Sequence, residues 1–111
     1  MAMKERKVGG VAVFELSGNL MGDDADKFQG RLHSLKSEGT KIVVLDMGGV
    51  HLMNSSGVGM IIAGMKTMRE VGGDLKLARL PERPYTILAV SRLLPVFDVF
   101  KTVDEAVAAS Q

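Results

Sequence analysis

A chain of 111 residues with a formal net charge of +1 is enough for one domain around one core, here residues 1–111. Near-neutral charge and scattered basic residues give no basis for a nucleic-acid partner, and Lys4, Arg6 and Lys7 read as a solvated edge. The lack of cysteine excludes disulfides and thiol chemistry, and two histidines, His33 and His51, argue against a metal site. No apolar run serves as a signal peptide or approaches the roughly 20 residues that cross a bilayer, so a cytoplasmic protein without membrane insertion is expected.

Lys7–Ser17 places Val8, Val11, Val13 and Leu16 around Gly9-Gly10, the pattern of two short strands joined by a tight turn. Gly18-Asn19-Leu20-Met21-Gly22 reads as a loop. Asp23 or Asp24 then caps an amphipathic helix with Ala25, Phe28, Leu32 and Leu35 at spacings of three and four, stopped by Gly39. His33 lies off that stripe and reads as solvated.

Lys41–Asp46 is nearly continuous in apolar and β-branched residues, the signature of a strand covered on both faces. A loop leads to Asn54-Ser55-Ser56-Gly57, and a second helix carries Val58, Ile61, Ile62, Met65 and Met68 on one stripe. Gly57, Gly59, Ala63 and Gly64 keep its early surface small, and Gly72-Gly73 ends it. A strand over Asp74–Ala78, a third helix over Pro84–Leu93 and a last strand over Val96–Phe100 follow. Thr102-Val103-Asp104-Glu105 is a capping box that opens a terminal helix through Val103, Ala106 and Val107. The order ββαβαβαβα implies an α/β fold: a mainly parallel sheet with right-handed crossovers, an N-terminal antiparallel hairpin, and helices packed on the sheet.

Functional loops in such sheets gather beyond the carboxyl ends of the strands, where Asn54-Ser55-Ser56-Gly57 falls. A helix N-terminus leaves backbone N–H groups unpaired and partially positive, so it favours a hydroxyl cap or an anion such as phosphate. Taken alone, the segment reads as one serine capping a helix beside a glycine turn. Hydrolysis would need a base, and only His51 is near in sequence; the G-x-S-x-G elbow is absent. No phosphate-binding loop, cofactor motif or metal-ligand spacing is present, and Asp46 reads as an acceptor for loop N–H groups. Met21, Met47, Met53 and Met60 near these loops fit either core filling or an adaptable binding surface.

Val43-Val44-Leu45-Asp46-Met47 followed by Met53-Asn54-Ser55-Ser56-Gly57-Val58-Gly59 resembles the central motif of the STAS domain, shared by bacterial anti-sigma factor antagonists and sulphate transporter tails. The similarity extends through Gly18-Asn19-Leu20, Gly72-Gly73-Asp74, Leu75–Ala78, Leu93–Phe100 and Glu105-Ala106-Val107, nearly the whole chain. The resemblance implies the STAS fold and a partner-switching role in place of catalysis. By this resemblance Ser55 is phosphorylated by an anti-sigma factor that is itself a serine kinase, and a serine phosphatase resets it. The unmodified form would bind that anti-sigma factor and free a sigma factor. Ser56 is expected to cap the helix or support the loop, and Met21, Asn54, Gly57 and Val58 to serve partner contact or local geometry. Two positions depart from the family pattern: Asn54 stands where an aspartate is usual, and Met21 where the loop often carries an aspartate. The alternative within the same resemblance is a stand-alone STAS subunit of a membrane transport or signalling complex, without a phosphoswitch.

Overall fold

The computed structural model describes residues 1–111. Strands β1 (Ala2–Val8) and β2 (Val11–Leu20) form an antiparallel hairpin closed by the pair Val8 and Val11. Gly9 and Gly10 between them take φ of +56° and +84°, the sign that lets a two-residue turn match the twist of its strands. Then come α1 (Ala25–Ser37), β3 (Ile42–Met53), α2 (Ser55–Arg69), β4 (Asp74–Ala78), α3 (Glu82–Val90), β5 (Val99–Phe100) and α4 (Val103–Ala108). The five strands lie in sequence order, and every pairing after the hairpin is parallel. The α/β order expected from the sequence is the order found.

A strand order that advances one way, joined by right-handed crossovers, puts the connecting helices on one face of the sheet. There Phe14, Leu45 and Leu75 meet Phe28, Leu32 and Ile61, all fully buried. Phe14 and Phe28 stack edge to face with ring centroids 5.5 Å apart. Helix α4 is not a crossover, and it covers the other face, packing Val103, Ala106 and Val107 on Val11, Val13 and Val44. Val43, Val44 and Leu45 are therefore all buried, on alternating faces, which is why that run is apolar throughout.

Several boundaries differ from the sequence expectation. Helix α3 begins at Glu82 and stops at Val90, because Arg92 turns to φ +60°. Leu94–Val96, with Pro95 inside, forms a 3-10 turn, and the last strand shrinks to two residues. At α4, Thr102 Oγ1 accepts from the Glu105 N–H at 3.0 Å, but Glu105 returns no bond, so only half the capping box forms.

The largest difference lies in β2 and β3. Both run on through segments read as loops, Gly18-Asn19-Leu20 and Met47–Met53. Strand β4 ends where Ala78 pairs with Asp46, so Met47–Met53 pairs with β2 alone as a two-stranded arm. Between the pairs Glu15–Asp46 and Ser17–Gly49, and again between Gly18–Val50 and Asn19–Leu52, β3 advances one residue more than β2. These are two bulges, and each bends the strand. Two glycines and two extra residues break the period-2 pattern, so the sequence there resembles a loop.

Candidate functional site

The tip of the arm is where β3 becomes α2. Met53 makes the last pair with Leu20, and the Asn54 N–H still donates to the Leu20 carbonyl at 3.3 Å. Asn54 then takes extended backbone angles as the helix N-cap, and its Oδ1 accepts from the Gly57 N–H at 2.8 Å. The cap is Asn54, not Ser56: the helix begins two residues earlier than a Ser56 cap would set it. Ser55 and Ser56 are therefore the first two helical residues, and their N–H groups have no carbonyl one turn back to bond.

Both serines are exposed, and the Ser55 hydroxyl makes no hydrogen bond within the protein. Ser56 instead packs on the loop after β2, where a Cβ added to Gly22 would lie 2.7 Å from its own Cβ. Gly57 is buried against the end of β2, and a Cβ there would sit 2.1 Å from the Leu20 carbonyl oxygen. Val58 is buried in the main core and Met21 is half-buried at the rim. Met47, Met53 and Met60 are buried, so these three fill core.

A groove of about 410 Å³ runs from this corner between α1 and α2. Ser56, Gly59 and Ala63 form its small-residue side, and Asp26 and Gln29 face them from α1. Beyond the adjoining backbone of α2, no atom lies within 4 Å of where a Gly59 Cβ would stand. Asp23, Asp24 and Asp26 open α1 with no ion-pair partner, so this edge is acidic.

His51 is exposed on β3 at the second bulge and makes no hydrogen bond to Ser55. Asp46, at the base of the arm, accepts from the Gly48 N–H at 3.0 Å and from Arg79 Nε at 2.8 Å. That hydrogen bond, and then the charge of Asp46, raise the Arg79 pKa above its ordinary value.

The sequence matches the STAS domain family over residues 2–106. The chain belongs to the STAS domain family. Among relatives of this STAS domain, the candidate anti-sigma factor antagonist BtrV of Bordetella bronchiseptica is 27% identical over 109 residues, covering 98% of this chain and 94% of BtrV. A candidate anti-sigma factor antagonist of Thermotoga maritima shares the fold with a TM-score of 0.88 at 19% identity, covering 97% of this chain and 93% of its own. The anti-sigma factor antagonist SpoIIAA of Bacillus, solved unphosphorylated and phosphorylated, shares it with TM-scores of 0.83 and 0.79 at 20% identity. Those two matches cover 96% and 99% of this chain and 93% and 100% of SpoIIAA.

The structure gathers Asn54, Ser55, Ser56, Gly57 and Met21 at one rim of this STAS domain, while Val58 points into the core. Sequence reasoning did not single out Asp26 and Gln29, which sit on α1, far before Gly59 and Ala63 in the chain. Their only advance signal is the pair of small residues Gly59 and Ala63 on α2, which leaves room for something to approach.

Proposed function

We propose that this STAS domain is an anti-sigma factor antagonist, a binding module switched by phosphorylation of Ser55. Its partners in this reading are an anti-sigma factor that acts as a serine kinase, and a serine phosphatase that removes the phosphate. All three would meet in the cytoplasm. The observation that carries the reading is the position of Ser55: first residue of α2, exposed, and with the capping duty taken by Asn54. Its hydroxyl is therefore free to be modified without undoing the helix. The names of the matched relatives support the same reading.

The physical chemistry of the switch follows from that place. A phosphate on Ser55 adds about −1.5 to −2 charges at neutral pH, beside unpaired N–H groups and the positive end of the helix, so the modified corner stays folded. The same group in a closely packed interface must be desolvated, which expels the partner. Asn54 keeps the cap but carries no charge, so the phosphate meets no neighbouring carboxylate from the cap. Titration of the cognate anti-sigma factor by calorimetry tests this. Ser55→Ala should bind as wild type does and resist modification, and Ser55→Asp should bind at least about tenfold more weakly. Equal affinity of Ser55→Asp and wild type would reject the switch.

A further inference from the structure

The corner that carries Ser55 hangs on the β2–β3 arm, and the arm leaves the sheet at a bulge. Between the pairs Glu15–Asp46 and Ser17–Gly49 the ladder is interrupted, and an interrupted ladder leaves backbone groups unpaired and the strand free to bend. Here the gap is closed by side chains. Asp46, whose side chain is 8% exposed, accepts the Gly48 N–H that the bulge frees. Arg79 donates to the same Asp46 oxygen, and its guanidinium lies flat across Gly48. A Cβ on Gly48 would come within 2.2 Å of Arg79 Nη2, so a residue without a side chain is what admits the arginine. Arg79 itself sits at φ +54°, in the left-handed region that an L-residue enters only when its surroundings hold it there. It is the residue directly after β4, on the strand that stops where the arm begins.

We propose that Arg79 is a positioning residue for the Ser55 corner: with Asp46 and Gly48 it braces the bulge from which the arm springs. Where β4 no longer pairs with β3, the guanidinium continues the connection through a side chain. The brace fixes the direction in which Met47–Met53 leaves the sheet, and so the place of Asn54 and the first turn of α2. Its importance to partner switching rests on the reading of Ser55 as the switch, but the brace itself is a property of the free protein.

Two variants remove the brace in different ways. Arg79→Gly accepts the positive φ and deletes the guanidinium, whereas Gly48→Ala leaves Arg79 and Asp46 in the chain but pushes the guanidinium aside. Residue-resolved amide hydrogen exchange reads the result without a partner. In both variants the amides of Met47, Val50, Asn54 and Gly57 should exchange about tenfold faster, while Leu75 and Leu77 of β4 and Leu32 of α1 keep wild-type rates. The double variant should exchange no faster than either single one, because both remove the same contact. Unchanged exchange in the arm, acceleration spread evenly over α1 and β4, or additive effects in the double variant would each overturn the proposal. Absence of phosphate from Ser55 in cells would overturn the proposed function and leave these exchange results standing.

Discussion

Asn54 is where the corner's chemistry turns on one side chain. Its Oδ1 satisfies the Gly57 N–H, an orphan donor of the helix, while neither neighbouring serine hydroxyl takes part in the cap. Replacing it by alanine removes that bond and should lower stability by about 1 kcal/mol, a fall of about 4 °C or more in Tm for a domain of this size. Asn54→Asp keeps an acceptor and adds a charge at the positive end of the helix, so its Tm should equal or exceed wild type. Thermal unfolding followed by circular dichroism separates the two; a Tm for Asn54→Ala equal to wild type would mean the cap contributes nothing. Asparagine and serine have nearly equal intrinsic preference for the cap, so the residue types alone do not separate Asn54 from the serine expected there. The choice is made by where β3 stops pairing with Leu20, a contact between residues 33 positions apart that no local pattern encodes.

At the scale of elements, α2 bears on β2 through a residue without a side chain. A Cβ at Gly57 would meet the Leu20 carbonyl, whereas one at Gly59 would meet nothing. Gly57→Ala should therefore destabilise by about 1–3 kcal/mol through overpacking. Gly59→Ala should stabilise by about 0.5–1 kcal/mol through helix propensity alone. Urea denaturation of the two variants checks the contrast, and equal effects would contradict the close approach of α2 to β2. Helices α1 and α2 were legible from their stripes because their buried residues recur at helical spacing, with Phe28, Leu32 and Leu35 in one and Ile61, Met65 and Met68 in the other. The arm was not, because bulges are defined by registry between two strands. Gly48-Gly49 and the exposed His51 and Leu52 give no period-2 signal on their own.

At the scale of the molecule, the strand order sends three crossover helices to one face and leaves α4 to cover part of the other. The same order sets the carboxyl ends of β2 and β3 side by side at one rim. That rim receives the loop with Met21, the cap Asn54 and the exposed Ser55, and beside them opens the groove between α1 and α2. The order of the elements foretold the α/β fold, and the central motif foretold the family; the groove came into view only when α1 and α2 were packed together. In the proposed reading this corner is the docking surface, and a phosphate on the Ser55 hydroxyl would change what can dock there. The measurement that tests this most directly is phosphosite mapping on the protein purified from its own cells. Trypsin releases Ile42–Lys66 with both serines, and fragmentation distinguishes them. Phosphate on Ser55 and none on Ser56 is the result expected; an unmodified peptide under every growth condition, or phosphate confined to Ser56, would contradict Ser55 as the switch.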